Sequence, residues 1–231
     1  MKKLYALLLA LIVATFPMDA VQPYFCNSQG RVLSYVRRGP DGGKVKWKYT
    51  VTIDKVVREA SGSGVDYTYD FRKPGGAQMY GGPIALHAQI AENGDVTLDL
   101  AATMLSVFRN MFPRSSFSSE GGGTVLPADI APGDTLPDAS AEVKVGTLKY
   151  NVAVTERKVL REERLKTPAG EFDCVVVSEH KVETGLRSRN VRTLTWYARG
   201  VGEVRHDTMD KNGKLQTSEV LESIESIIFA E

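Results

Sequence analysis

From Lys44 to Asp54 the chain alternates without a break. Val45, Trp47, Tyr49, Val51 and Ile53 fall on one side, and Lys44, Lys46, Lys48, Thr50, Thr52 and Asp54 on the other. Successive side chains of a strand point to opposite faces, so a period of two describes a strand with one face in a core and one in water. Such alternation belongs to antiparallel sheets, because the strands of a parallel sheet are covered on both faces and read as continuous apolar runs. Val65, Tyr67, Tyr69 and Phe71 repeat the pattern, as do Tyr150, Val152 and Val154. Between the runs, Asp41-Gly42-Gly43, Asn93-Gly94 and Asn212-Gly213 supply the positive φ of tight hairpins. A meander of consecutive hairpins is therefore expected, in a mainly β protein.

One segment departs from this period. Met104, Leu105, Phe108, Met111 and Phe112 stand at helical spacing, with Asp99 placed to cap and Pro113 to stop. The spacing predicts one amphipathic helix over 101–112. The Ser- and Gly-rich stretch 114–123 reads as an exposed loop, and Pro127, Pro132, Gly133 and Pro137 extend the irregular region toward 140. This is the one place where a domain boundary would fall. A single β domain over 21–231 with a loop-rich insertion near 114–140 is preferred, because either half alone would offer few strands.

The first twenty residues have the form of a secretory signal. Lys2 and Lys3 precede thirteen uncharged residues, Leu4 to Phe16, and Pro17 breaks the run before Met18-Asp19-Ala20. Cleavage after Ala20 is expected to leave residues 21–231 without a transmembrane segment and to send them to the periplasm, the outer envelope or the medium. Removal of Lys2, Lys3 and Asp19 takes 29 basic and 28 acidic residues to 27 of each, so the remainder carries no formal charge. A balance of this kind offers no field to attract nucleic acid. Cys26 and Cys174 are the only cysteines. An even count in an oxidising compartment suggests a disulfide, against the alternative of two buried free thiols packing as small hydrophobes.

The catalytic inventory is thin. His87, His180 and His206 are the only histidines, and none has a metal-ligand spacing. Ser61-Gly62-Ser63-Gly64 lacks the strand-to-helix context of a nucleophile elbow, and Gly121-Gly122-Gly123-Thr124 lacks the Lys of a phosphate loop. Glu179-His180 reads as a solvated strand end rather than half of a dyad. Asp210, Asn212, Gly213 and Glu219 match four places of a calcium loop, but Thr208 stands where its first Asp belongs, so a hairpin turn is the simpler reading. No catalytic residue, metal or cofactor is expected.

The segment Thr167-Pro168-Ala169-Gly170-Glu171-Phe172-Asp173-Cys174, followed by Thr195-Trp196-Tyr197-Ala198-Arg199-Gly200-Val201-Gly202-Glu203-Val204 and by Asp210 to Leu215, resembles the TapB-like family of secreted bacterial proteins. The likeness extends to Cys26, Gly30 and Tyr35, and to Gly133-Asp134-Thr135-Leu136-Pro137-Asp138. It implies an envelope or secreted location and a curved antiparallel sheet or incomplete barrel, similar in outline to lipoprotein carriers, with one short helix packed on it. It brings no catalytic residue. In physical terms Trp196 and Tyr197 should point to opposite faces, and Gly200 and Gly202 should permit a bend or bulge where a curved sheet turns.

These readings favour a non-enzymatic binding or accessory protein of the envelope. Its concave face, with Met104, Leu105, Phe108, Met111 and Phe112, would hold an apolar small molecule, a lipid or a segment of an envelope protein, although such a stripe also suits plain core. A structural or assembly protein that pairs through a sheet edge is the alternative. A hydrolase using two carboxylates distant in sequence is the third.

Overall fold

A computed structural model describes residues 21–185 and 188–227; the expected signal segment lies outside them. Thirteen antiparallel strands form one sheet: β1 (Arg31–Arg38), β2 (Val45–Glu59), β3 (Gly62–Arg72), β4 (Ile84–Ala91), β5 (Val96–Asp99), β6 (Phe117–Gly121), β7 (Gly123–Leu126), β8 (Ala139–Val145), β9 (Leu148–Thr167), β10 (Gly170–Thr184), β11 (Arg189–Ala198), β12 (Gly202–Met209) and β13 (Leu215–Ser226). One helix, α1 (Leu100–Met111), follows β5. The order across the sheet is β6-β8-β9-β10-β11-β12-β13-β1-β2-β3-β4-β5-β7.

That order requires strong curvature. The two edge strands, β6 and β7, are separated in sequence only by Gly122. A flat sheet would hold its edges a dozen strand spacings of about 4.8 Å apart, so the sheet must curl until its edges meet at one residue. The result is a nearly closed barrel, which also blunts the exposed edge. The stretch expected as a Ser- and Gly-rich loop is this seam. Its low apolar content hid the strands, because β6 pairs with β8 and β7 with β5 mostly through backbone groups.

The hairpin chemistry is realised at three of the joins. A 3-10 turn, Pro40–Gly42, links β1 to β2. Gly94 at φ 88° links β4 to β5, and Gly213 at φ 78° links β12 to β13. At the last turn Asp210 Oδ1 accepts from the amides of Asn212 (2.9 Å) and Lys214 (3.0 Å), so the carboxylate serves the turn. Gly200, at φ 69°, forms the β11–β12 turn, and the register slips between Trp196 and Tyr197. The chain thus turns at Gly200, and the bulge falls further on, at Val204.

The helix begins one residue early, at Leu100, and Asp99 Oδ1 caps it by accepting from Ala102 N at 2.8 Å. Its inner face packs on β8 and β9: Phe108 meets Tyr150 edge-on at 5.1 Å, and Met104 and Leu105 pack against the buried cluster that includes Val143, Val145, Val152 and Val154. A larger cluster fills the other part of the barrel, from Leu33, Tyr35, Val51, Ile53 and Val65 round to Val176, Val177, Val204 and Leu221. Phe25, Tyr35, Tyr49, Tyr67, Tyr69, Phe71 and Tyr80 make a run of ring contacts across β1 to β3, with centroids 4.7–5.9 Å apart.

Candidate functional site

Two of the sheet's β-bulges turn charged side chains toward the barrel interior. In β9, Thr155 and Lys158 oppose His180 and Ser178, so two residues stand opposite Glu179 alone; Glu156 takes φ 51° and Arg157 turns inward. In β12, Trp196 opposes Arg205 while Tyr197 opposes Glu203, which leaves Val204 as the extra residue. Glu203 and His206, which strict alternation would place on opposite faces, therefore line one cleft.

The cleft has a volume of about 230 Å³ and opens between β1–β3 and β10–β13. Across it Arg37 forms an ion pair with Glu219 Oε1, donates to Thr217 Oγ1 at 2.7 Å, and lies 4.2 Å over the Trp47 ring. The Tyr49 hydroxyl is 2.9 Å from Glu219 Oε2 and 3.3 Å from Glu203 Oε1. Tyr35 donates to the Glu203 carbonyl at 2.7 Å. His206 Nδ1 is 2.9 Å from Thr195 Oγ1 and 4.0 Å from Glu203 Oε2. On the far wall stand Lys181, Arg189, Val191, Thr193 and Thr208. Lys181 pairs at 2.9 Å with Glu183, which is itself buried.

A phenol carries one proton and cannot donate to two carboxylates. The Tyr49 hydroxyl therefore donates to one carboxyl at a time, with Glu219 the nearer acceptor and Glu203 the more distant one. Burial pushes Glu203 up to about 7; the charge on Glu219 adds to the rise, while His206, Tyr49 and Arg37 oppose it. The side chain is nonetheless 32% exposed. Glu203 and Tyr69 border both the cleft and an inner chamber of about 120 Å³ walled by Leu33, Val51, Ile53, Val96, Leu98 and Leu126. Burial likewise pushes the phenols of Tyr35, Tyr49 and Tyr69 well up, so they act as neutral donors.

The expected apolar face proves to be mostly core. Phe108 is buried, Met104 and Leu105 pack on the sheet, and Met111 and Phe112 at the helix end stay exposed. The inner apolar chamber, at about 120 Å³, is about half the volume of the cleft. Larger openings, of about 660 and 560 Å³, are grooves on the outer surface whose walls include the exposed Arg164, Asp173, Asp66 and His87.

Cys26 and Cys174 are both free and buried, so the expected bridge is not formed. Cys174 opposes Ala198, Ala198 opposes Gly202, and Gly202 lies against the backbone of Tyr24 to Cys26. Trp196 and Tyr197 face opposite ways as expected: Trp196 has Arg205 at 4.8 Å and Arg161 at 5.9 Å over its ring, whereas Tyr197 borders the inner chamber. Glu179 turns inward to Arg157 at 2.8 Å, and His180 turns outward to Asn190 at 2.8 Å. The two do not form a dyad. Among the described residues no cluster of His, Cys, Asp and Glu could hold a metal ion, and no helix is long and apolar enough to cross a membrane.

A family model described as DUF3108-like matches residues 29–221. The chain belongs to the DUF3108-like family. The match names this family rather than the TapB-like one. It spans β1 to the middle of β13 and so includes both bulges and every residue of the cleft. The DUF3108-like chain is similar in structure to a candidate exported protein with a YmcC-like fold from Bacteroides fragilis, at 20% identity and TM-score 0.71, covering 89% of this chain and 100% of that one. It is similar to a candidate lipoprotein from Parabacteroides distasonis at 23% identity and TM-score 0.71, covering 88% and 99%. At these identities the likeness establishes the fold. No curated protein matches the sequence.

Proposed function

We propose that the protein is a non-enzymatic accessory protein of the cell envelope that binds a small polar ligand in the cleft between Arg37, Glu203 and Thr193. The location rests on the signal-like residues 1–20 and agrees with the descriptions of the two structural neighbours as a candidate exported protein and a candidate lipoprotein. One observation carries the binding reading. Thr193, 3% exposed, borders the cleft with a hydroxyl that has no partner, a group that stays costly until something bonds to it.

The cleft chemistry argues against an apolar cargo. Its walls carry guanidinium, ammonium, carboxyl, imidazole and hydroxyl groups, and a lipid tail would leave them desolvated without partners. Docking through a sheet edge has little to work with, since β6 and β7 are five and four residues long and the Val125 carbonyl on β7 already accepts from Arg157 at 3.1 Å. The hydrolase reading draws support from the meeting of Glu203 and Glu219 at Tyr49. Against it, both oxygens of Glu219 are engaged, one by Arg37 and one by Tyr49, which leaves Glu219 poorly placed as the second carboxylate opposite Glu203.

Native mass spectrometry of protein purified from its own envelope tests the proposal. The expected spectrum shows a small polar molecule bound non-covalently to the wild type and missing from Thr193→Phe, which fills the cleft. The bare mass alone in the wild type would overturn the binding reading, and a co-extracted lipid would overturn its polar character.

A further inference from the structure

We infer that the ligand carries an oxyanion, a carboxylate or a sulfate-like group, received between Arg189, Lys181 and the Thr193 hydroxyl on the wall formed by β10 and β11. This rests on the binding reading above and names the chemistry of the same cleft.

The placement follows from the ladder. Lys181 opposes Val191, and Arg189 and Thr193 lie two residues to either side of Val191, on the same inward face. One ammonium, one guanidinium and one unpartnered hydroxyl thus converge on a single patch. Arg37 faces the patch from β1; burial pulls its guanidinium down from the usual value, Glu219 opposes that, and the charge on Arg189 adds to it. Two like charges held across a cleft are stabilised by an anion placed between them. The planar donors of Arg189 suit a carboxylate or sulfate edge, and Thr193 supplies a short neutral donor beside it. Arg37 pairs with Glu219 and Lys181 with the buried Glu183, so Arg189 is the basic side chain of the cleft wall without an ion pair among the described residues.

Glu203 makes the event pH-dependent. The groups that face it are Arg37 and Tyr35 from β1, Tyr49 from β2, Tyr69 from β3, Tyr197 from β11, His206 on its own strand and Glu219 from β13. An incoming negative charge favours the neutral acid, so oxyanion binding draws a proton onto Glu203 and strengthens as pH falls.

Isothermal titration calorimetry with sodium sulfate and with sodium propionate, at pH 6 and pH 8, tests this on the chain from residue 21 onward. Neither anion titrates in that range, and two buffers of different ionisation enthalpy count the protons. The expected result is binding at pH 6 that weakens several-fold by pH 8, with net proton uptake. Arg189→Gln should weaken binding at least about tenfold and Thr193→Val several-fold. Glu203→Gln, which mimics the protonated acid, should hold the pH 6 affinity at pH 8 and abolish the uptake, whereas His206→Gln should keep it. Absence of binding by both anions, or binding indifferent to Arg189→Gln, overturns the oxyanion inference. If a polar molecule still co-purifies with the wild type and is lost from Thr193→Phe, the binding reading survives that failure.

Discussion

The Tyr49 hydroxyl lies 2.9 Å from Glu219 Oε2, a contact between residues 170 positions apart that joins β2 to β13 inside the barrel. Tyr49→Phe deletes the donor to Glu219 Oε2 and leaves that carboxylate held by Arg37 at Oε1. A loss of about 1–2 kcal/mol is expected in urea unfolding at pH 7. Because the Tyr49 hydroxyl also opposes the upward shift of Glu203, the variant should move the titration of Glu203 further up, visible by carboxyl-resolved NMR. An unchanged titration would mean that the 3.3 Å contact between Tyr49 and Glu203 carries no weight.

Glu203 itself sets a pH dependence of stability. Its folded value is about 7 against an ordinary 4.5, so the folded state holds the proton more tightly than the unfolded chain. Its contribution is full below about 4.5 and is lost as pH rises through 7, giving a falling slope in that window. After discounting for its contact with cleft water, the span is about 1–2 kcal/mol. Urea midpoints measured from pH 4.5 to 8 should fall in the wild type and flatten in Glu203→Gln. Equal slopes in both would assign the dependence to another group.

Arg157 is 3% exposed and supports three elements at once. It pairs with Glu179 at 2.8 Å and donates to the carbonyls of Val125 and Pro137 at 3.1 and 2.8 Å. Arg157→Met leaves Glu179 unpaired and two carbonyls without their donor, at a cost of about 3–5 kcal/mol. Adding Glu179→Met should restore part of that loss, because the isolated inward charge is gone. Thermal melts of the single and double variants give the comparison, and equal losses would show that the ion pair is not what matters.

How far the sequence discloses these sites depends on the period of two. Val45 to Ile53 alternate regularly and land on the inner face as read, and the Asp99-capped helix appears within one residue of its expected span. The bulges conceal the rest. Alternation carried on from Val152 and Val154 would turn Glu156 inward and Arg157 to water, and carried through Val204 it would separate Glu203 from His206; one extra residue reverses each assignment. The glycines at 200 and 202 mark a bend near the second bulge, but nothing local marks the first. The meeting of Glu203, Glu219 and Arg37 depends on the β13–β1 pairing, which joins the two ends of the chain and leaves no short-range pattern.

The cysteines provide a chemical test of the core. Burial pushes the Cys174 thiol up to about 12, with Glu163 and Asp173 adding to the rise, and it pushes Cys26 up as well. Thiolate is the reactive species, so native protein at pH 8 should label slowly with iodoacetamide at both sites and completely after unfolding. Intact-mass measurement without reductant should show two added groups in denaturant. No added groups would mean that the two thiols are oxidised to each other, contrary to the two free cysteines of the structure.

The seam makes the sharpest demand on one backbone position. Gly121 closes β6 at φ 148°, and a Cβ there would sit 2.5 Å from the Ser140 carbonyl and 2.6 Å from Ala141 Cα, both on the partner strand β8. Its neighbour Gly122 has open space around the same atom and no positive φ. Gly121→Ala must therefore shift backbone or abandon the last β6–β8 pairing, at a cost of more than about 2 kcal/mol, whereas Gly122→Ala should stay within about 0.5 kcal/mol of the wild type. If the barrel is held closed at this point, amide exchange in Gly121→Ala should rise first in β6 and β7 and leave β10 and β11 protected. Uniform acceleration across all strands would instead mean that the seam opens only with the whole sheet, and that β6 and β7 are as firmly held as the barrel they close.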